Sequence, residues 1–284
     1  MTPAEEILKK VRDIPPLPNV VMQILKLSNS PSASAKDLVE VMELDPGITA
    51  KVLRLCNSAF FGLPQKVTSL QTATVYLGLN EIINMVVMGC FNSFYSSPQP
   101  GYGLEKGELW GHSVAVALAS WRLANRLNYH DPAAAFTAGL LHDLGKIVLH
   151  EYVHQESERI QSLIELHDLS FAEAEKKVIG MDHCEVGELV AKKWNLPENL
   201  QLAIRYHHAQ ELEGADVKIM AITHISNSIC VLLSIGSAGQ GDVVKELSKN
   251  ALEIIQMTED DLLSQSAEMI DDFKRATNLL KTGQ

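Results

Sequence analysis

Helical periodicity along nearly the whole chain is the feature that most limits how this sequence can fold. Apolar residues recur every three or four positions in most long segments, as in Ile48, Val52 and Leu55. This is the spacing of one buried face of an α-helix. Alternating Val, Ile and Thr runs are few, and no Asn-Gly hairpin turn occurs, so β-structure has little support. The sequence therefore predicts an all-α protein, built as a helical bundle.

Turn-forming residues divide the chain into three predicted parts. Pro, Gly and Ser concentrate at 96–101, and a Gly-rich link follows at 236–241; such clusters usually lie between packed segments. We predict an N-terminal helical subdomain over 1–97, a helical core over 98–235 and a C-terminal helical extension over 236–284. The predicted helices cover about 19–27, 34–44, 46–57, 69–76, 80–94, 105–127, 132–149, 155–166, 170–178, 182–194, 197–209, 216–235, 242–256 and 259–281.

Charge and cysteine content narrow the expected compartment and partners. The formal net charge of -11 argues against direct nucleic-acid binding, which needs a basic surface. The four cysteines are scattered without a C-x-x-C pair, a pattern typical of a reducing compartment. No signal-peptide pattern and no uninterrupted apolar stretch of membrane-spanning length occurs. We therefore expect a cytoplasmic protein that contacts neither nucleic acid nor membrane.

Histidine and acidic residues recur on successive predicted helices of the core. A core histidine usually stands alone, and each of these histidines could be a hydrogen-bonded structural residue. Recurrence on several helices is better explained by a metal site inside the bundle. A buried Asp beside a buried His is costly without partners, and a divalent cation satisfies both. The candidate metal ligands are Glu108, His112, His142, Asp143, His183, His207 and His208.

The spacing of these ligands constrains the centre. Glu108 and His112 share one helix face. His142 and Asp143 are adjacent, so on one helix their side chains diverge by about 100°. Both reach one ion only if it lies close to the helix, against its end or in a crowded core. Histidine and carboxylate ligands without Cys suit a divalent transition metal such as Fe, Mn, Ni or Zn, in a mono- or dinuclear centre of the hydrolytic kind.

The same residues carry a family resemblance. The run Gly139–Lys146 (GLLHDLGK) resembles the motif of the HD phosphohydrolase superfamily. The N-terminal half resembles the HDOD family, the HD-related output domains of bacterial signalling proteins. That resemblance spans roughly residues 10–235 and is carried by Ile14–Pro18 (IPPLP), Leu44–Ser58 (LDPGITAKVLRLCNS), Ala73 and Leu77–Leu79 (LGL).

The resemblance implies an all-helical HD-type bundle with an N-terminal helical subdomain. Most HDOD proteins are regarded as non-catalytic regulatory modules that have lost part of the HD metal set. In the related HD-GYP phosphodiesterases, which hydrolyse cyclic di-GMP, the positions of the candidate ligands hold metal, and Lys146 falls at the catalytic lysine. Two departures stand out. No Gly-Tyr-Pro element follows His207-His208, and the last HD aspartate position reads Asn227, whose amide supplies no charge.

Two functional interpretations follow. In the first, the chain is a regulatory module of signal transduction that binds metal at the His/Asp site and contacts signalling proteins. In the second, it is a metal-dependent phosphohydrolase or phosphodiesterase acting on a nucleotide or cyclic dinucleotide. There Lys146 or Arg205 would stabilise the charge on the phosphate. Asn227 and the missing Gly-Tyr-Pro element favour the first interpretation.

Overall fold

The computed structural model describes residues 3–28, 34–57, 63, 65–95, 97–235 and 247–264. In these ranges the chain forms fifteen α-helices with defined bounds, a further helical stretch at 259–264, a short 3-10 helix at Pro100–Tyr102 and no strand, which confirms the predicted all-α class. The helices are α1 (Pro3–Asp13), α2 (Asn19–Ser28), α3 (Ala35–Glu43), α4 (Pro46–Cys56), α5 (Leu70–Leu77), α6 (Leu79–Tyr95), α7 (Glu108–Arg126), α8 (Pro132–Leu141), α9 (Lys146–Gln155), α10 (Ser157–His167), α11 (Phe171–Ile179), α12 (His183–Lys193), α13 (Glu198–Tyr206), α14 (Val217–Leu232) and α15 (Lys249–Ile255).

Capping side chains set where several of these helices begin. Asp182 accepts a hydrogen bond from the backbone N–H of Glu185, whose carboxylate accepts one from the backbone of Asp182. This reciprocal pair is a capping box, and it fixes the first turn of a helix. It makes His183 the first residue of α12. A proline in the first turn of α8, after the Asp131 cap, has a similar effect there.

The core is centred on α7, α8 and α14. Every residue of α8 after Pro132 is buried, so this helix is apolar on all sides and has no solvent face. Gly139 brings α8 close to α7. A Cβ at Gly139 would lie 2.7 Å from the carbonyl oxygen of Val116 and 2.9 Å from the Cα of Ala117. This close packing leaves little free volume beside the turn that follows α8.

The structure divides the predicted helix 132–149 into two helices. α8 ends at Leu141, residues 142–145 form a turn, and α9 begins at Lys146. The prediction of one continuous helix was therefore wrong. Within the turn, the N–H of Leu144 donates to Leu141 and that of Lys146 to Asp143, a three-residue spacing that tightens the backbone. Helical periodicity continues across this turn, which is why the sequence pattern did not reveal it.

A helix that the sequence analysis missed begins the described chain. α1 buries Ile7 and Val11, and packs against the core helices α9 and α12. Its C-terminal end is held by Lys193, whose ammonium donates to the carbonyls of Val11 at 3.1 Å, of Ile14 at 2.6 Å and of Arg12.

The proline-rich segment after α1 is also held by α12. The indole N–H of Trp194 donates to the carbonyl of Pro15 at 2.9 Å. The Trp194 ring lies 5.7 Å from that of Phe91 and 5.4 Å from that of Phe94, both on α6. The subdomain boundary near residue 97 stays a prediction.

The C-terminal part of the described chain docks on α14. The backbone N–H of Ser248 donates to Nε2 of His224 at 2.9 Å, and the Ser248 hydroxyl donates to the carbonyl of Gln210. α15 follows within the predicted helix 242–256, and residues 259–264 are helical. The remaining parts of the two predicted C-terminal helices, 242–246 and 265–281, lie outside the described residues.

Length and apolarity decide whether a helix of the described residues could cross a membrane. No single helix there is both long and apolar enough to cross a bilayer, and only α5 with α6 meets the length and composition, as a pair bent by 120°.

Candidate metal centre

Six of the seven predicted ligands lie together in two groups. Group A contains His112, His142 and Asp143, and group B contains His183, His207 and His208. Within each group, one ligand atom from each residue lies within 4.8 Å of the others. All but His208 are buried. The remaining prediction, Glu108, does not join them. It is exposed on the first turn of α7, and its carboxylate accepts a hydrogen bond from the N–H of Glu105 at 2.7 Å.

Asp143 lies between the two groups. Its Oδ2 is 3.3 Å from Nε2 of His142 and 3.8 Å from Nε2 of His112. Its Oδ1 is 3.6 Å from Nε2 of His183 and 3.7 Å from Nε2 of His207. Each oxygen of one carboxylate therefore faces a different group. Asp143 could therefore offer one oxygen to a cation in either group.

Helix ends bring these side chains together. His142 and Asp143 lie in the turn between α8 and α9, His183 begins α12, and His207 and His208 follow α13. A turn does not impose the divergence of adjacent side chains that a regular helix does. The turn also packs tightly on α12, because a Cβ at Gly145 would lie 1.9 Å from the carbonyl oxygen of His183.

Three buried atoms at the centre make no hydrogen bond. They are Nε2 of His142, Oδ1 of Asp143 and Nε2 of His183. Buried polar atoms are normally satisfied, and an exception calls for an ion or a water. Two ligand atoms about 2.0–2.2 Å from a shared transition-metal ion lie within about 4.4 Å of each other. The separations of 3.3–3.8 Å from Asp143 to the imidazoles satisfy this limit, so the residues fit a divalent metal.

The second ring nitrogen of four histidines is fixed by an acceptor. Carbonyl and carboxylate oxygens only accept, so each of these Nδ1 atoms carries a proton and Nε2 is the nitrogen turned to the centre. Such outer partners orient metal-binding histidines. The pairs are His112 with the Ile235 carbonyl at 2.8 Å, His142 with that of Gly139 at 2.7 Å, His207 with that of Ile204 at 2.8 Å, and His183 with the Glu175 carboxylate at 2.6 Å.

Glu175 and Tyr102 support the centre and were not predicted. The fully buried Glu175 carboxylate accepts hydrogen bonds from Nδ1 and the backbone N–H of His183, and from the Tyr102 hydroxyl at 2.5 Å. Burial opposes a charge on His183, but Cys184 and Glu175 outweigh it and raise the pKa of His183 well above its ordinary value. One signal was available: Glu175 falls on the buried face of α11, between Ala174 and Ile179.

Asp143 carries its charge inside the protein. Burial raises the pKa of the Asp143 carboxyl, but His142 and Lys146 outweigh burial and hold that pKa well below its ordinary value. Burial lowers the pKa of His112 to about 4 and holds the pKa of His208 well below its ordinary value. A carboxylate and neutral imidazoles are the protonation states that bind metal, so Asp143, His112 and His208 are already in the binding form.

His183 and His207 differ from these residues in protonation. Burial opposes a charge on His207, but Cys184 and Asp143 outweigh it and raise the pKa of His207 to about 9. Since the pKa of His183 is raised as well, each of these two imidazoles would release a proton when an ion binds.

Lys146 and Asn227 both reach group A. The Lys146 ammonium donates to Oδ2 of Asp143 at 2.8 Å, and its side chain is 19% exposed. Oδ1 of Asn227 lies 3.0 Å from Nε2 of His112. Since His112 donates through Nδ1, its Nε2 and this amide oxygen face each other as two acceptors, which a shared cation would satisfy.

Two further polar residues make contacts away from Asp143. Arg205, a candidate partner of a phosphate, lies against three carboxylates, those of Asp182, Glu185 and Glu188, at 3.1–3.8 Å. Its charge is therefore balanced away from Asp143. Nε2 of His224, three residues before Asn227 on α14, accepts the N–H of Ser248.

The fold and the site together define a class: a helical bundle that presents a His-Asp pair and further histidines from helix ends at one buried centre. The model of the HDOD domain matches residues 14–210. The chain belongs to the HDOD family, which confirms the resemblance found in the sequence.

Known relatives agree with this assignment. The chain is similar to an HDOD domain protein of unknown function from Geobacter sulfurreducens, with 24% identity, 96% of this chain and 97% of that one covered, and a TM-score of 0.77. It is also similar in fold to a candidate signal transduction protein from Marinobacter aquaeolei VT8, at 21% identity, with 95% and 60% covered and a TM-score of 0.77. An uncharacterised protein from Treponema pallidum (strain Nichols) is 26% identical over 216 residues, which cover 72% of this chain. The match spans 39% of the length of that relative.

Proposed function

We propose that this chain is a regulatory HDOD protein that binds a divalent transition metal at groups A and B and acts in signal transduction through protein contacts. The observation that carries the proposal is the set of three buried, unsatisfied atoms on and around one carboxylate: Oδ1 of Asp143, Nε2 of His142 and Nε2 of His183. Leaving them unsatisfied in a folded core is costly. Fe, Mn, Ni or Zn suits this donor set. We propose signalling proteins of the cytoplasm as its partners, rather than nucleic acid or membrane.

The chemistry of the surroundings favours regulation over catalysis. The residue that faces His112 is Asn227, a neutral amide, so group A has one carboxylate oxygen and no second negative charge. Arg205 is engaged by three carboxylates and does not offer its charge to a phosphate at the centre. The chain also lacks the Gly-Tyr-Pro element. A metal held here would then stabilise the arrangement of α7, α9, α12 and α13 rather than turn over a substrate.

One observation keeps metal-dependent phosphohydrolysis as a second candidate. Lys146 is partly exposed next to Asp143, and His208 is partly exposed beside His207. A bound divalent ion supplies Lewis-acid chemistry. The Lys146 ammonium would lie where it could balance the charge of a phosphate oxygen, and Asp143 would hold that ammonium in place. A nucleotide or cyclic dinucleotide would be the substrate class.

Metal analysis of the purified protein tests the proposal. The wild type, a His142→Ala/Asp143→Ala variant and a His167→Ala control would be purified without chelator or His-tag. His167 is an exposed histidine in the last turn of α10. We expect near-stoichiometric metal in the wild type and the control, and loss of metal in the double variant, with helical circular dichroism unchanged. A wild type that stays metal-free after incubation with Fe, Mn, Ni and Zn ions would refute metal binding.

A turnover assay separates the two candidates. The metal-loaded wild type would be incubated with cyclic dinucleotides and nucleotides, and product would be measured by chromatography. We expect no turnover. Hydrolysis that disappears in a Lys146→Met variant, while the variant keeps its metal, would establish the phosphohydrolase instead.

A further inference from the structure

We infer that groups A and B bind metal with unequal affinity: group B takes the first ion, and the Lys146 ammonium supplies at group A the positive charge that a second ion would otherwise bring. The inference rests on the proposed metal binding and adds which histidines hold the ion. It starts from a difference in charge between the two sides of Asp143.

The group B side has a second carboxylate behind one of its histidines. Oδ1 of Asp143 faces His183 and His207 and makes no hydrogen bond. Behind His183, the Glu175 carboxylate accepts the Nδ1 proton at 2.6 Å. A carboxylate in this position makes the other nitrogen a stronger ligand. Group B therefore combines three imidazoles with Oδ1 of Asp143, which makes no hydrogen bond, and with the buried Glu175 carboxylate, which is hydrogen-bonded to the far side of His183.

The carboxylate charge on the group A side is already balanced. Oδ2 of Asp143 accepts a hydrogen bond from Lys146 at 2.8 Å, within a buried setting where ion pairs are strong. The additional ligand facing His112 is the neutral amide of Asn227. A divalent ion at group A would meet His112, His142, one shared oxygen and an amide, with an ammonium on that same oxygen. The like charges repel each other.

Packing holds the Lys146 ammonium in this position. Lys146 is the first residue of α9, three residues after Asp143. Its Nζ also lies 5.4 Å from the centre of the Tyr102 ring, a distance at which an aromatic face attracts a cation. The Tyr102 hydroxyl is in turn tied to Glu175 at 2.5 Å. The ammonium is therefore held by the Asp143 carboxylate and by the Tyr102 ring, and the ring contact does not depend on a metal.

Cobalt titration with metal analysis tests the inference. Full-length wild type, stripped of metal, would be titrated with Co²⁺, followed by visible absorption, and the ions retained after gel filtration would be counted. The variants are Lys146→Met, Asn227→Asp, His208→Ala and His112→Ala, with Lys176→Met as the matched control for Lys146→Met. Lys176 is exposed and pairs with Glu185, away from Asp143. Circular dichroism would confirm that each variant is folded.

We expect one retained ion in the wild type and in Lys176→Met. In Lys146→Met, removal of the ammonium should tighten the second ion by about tenfold or more, the size of change typical of residues around a metal site. Asn227→Asp should also tighten it, by adding a charge next to His112. His208→Ala should lose the tightly held ion, whereas His112→Ala should keep it.

The outcomes separate this inference from the proposed function. Two ions of equal affinity in the wild type, or an unchanged second ion in both Lys146→Met and Asn227→Asp, would overturn the inference and leave metal binding intact. Loss of the tight ion in His112→Ala but not in His208→Ala would reverse the assignment. A wild type that binds no Co²⁺ would overturn both.

Discussion

Lys193 makes a contact whose contribution to stability can be worked out from its geometry. Its ammonium donates to the backbone carbonyls of Val11, Arg12 and Ile14, at the C-terminal end of α1. The last carbonyls of a helix have no partner within the helix. One hydrogen bond from a charged donor contributes about 1.5–3 kcal/mol, and a cation at a helix C-terminus adds about 0.3–1 kcal/mol. Three acceptors that share one ammonium do not add fully.

Replacement of Lys193 by methionine should therefore lower the free energy of unfolding by about 2–4 kcal/mol. Methionine keeps most of the apolar side chain, so the loss reports mainly on the ammonium. The matched control is Lys192→Met. Lys192 is the exposed neighbour and pairs with Glu188 at 2.6 Å, an i,i+4 contact that contributes about 0.5 kcal/mol or less.

Urea denaturation of the wild type and both variants measures these differences, and hydrogen exchange shows where they arise. We expect faster amide exchange in α1 of Lys193→Met, with the amides of α7 and α8 much less affected. If the two variants unfold within about 0.5 kcal/mol of each other, the ammonium does not hold α1 in solution and this reasoning is refuted.

Three other substitutions have defined expectations. Gly145→Ala should reduce both stability and metal content, because its Cβ would meet the backbone carbonyl of His183 at 1.9 Å; thermal unfolding and metal analysis check this, and a stable, metal-replete variant would contradict it. Burial raises the pKa of the Glu81 carboxyl in the folded state to about 7, above its pKa in the unfolded chain. Between these two pKa values the folded state keeps a proton that the unfolded state has lost. The stability that this proton contributes is therefore lost as the pH rises to 7. Glu81→Gln should therefore be more stable than the wild type by about 1–2 kcal/mol at pH 8, after allowance for partial exposure and the helix N-terminus, and equal to it near pH 4; a pH-independent difference in urea midpoints would be evidence against this. Tyr95→Phe removes the hydroxyl that donates to the Leu140 carbonyl at 3.1 Å, and urea unfolding should show a loss of about 0.5–1.5 kcal/mol, whereas no loss would mean that the bond is not formed.

Much of the fold was predictable because local signals agree with it. The capping box that begins at Asp182 places the start of α12 within one residue, and Pro46 and Pro132 lie in the first turns of their helices. α1 was not predicted because its sequence is mostly charged and offers only two apolar residues to the core, Ile7 and Val11. The burial of α1 depends on α9 and α12, which are far away in sequence.

Most residues of the candidate site could be predicted from the sequence, but the contacts between them could not. Histidines that recur on successive predicted helices identified five ligands that the structure brings together with Asp143. Glu108 shares a face with His112 in the helical pattern, yet it lies at the exposed start of α7. Glu175 reads as an ordinary helix glutamate, and its function depends on a contact eight residues away in the next helix.

The loop before α7 shows the same limit. Pro100 and Gly101 read as a flexible boundary, but Gly101 and Tyr102 are buried. A Cβ at Gly101 would lie 2.3 Å from the carbonyl oxygen of His150 on α9. Only glycine allows this approach, which brings Tyr102 beneath Lys146. The proline and glycine thus indicated a turn, but they could not indicate that the turn packs into the protein.

α12 connects the candidate metal centre with the C-terminal end of α1. Its first residue, His183, faces Asp143, and its last residue, Lys193, donates hydrogen bonds to the end of α1. Trp194, directly after α12, donates to Pro15 in the segment that follows α1. Eleven residues at about 1.5 Å each make a rod of roughly 16 Å. A helix of this length is stiff along its axis, so a displacement of His183 along that axis would also move Lys193. We therefore expect the N-terminal segment to be where the state of the buried centre can be read from the protein surface.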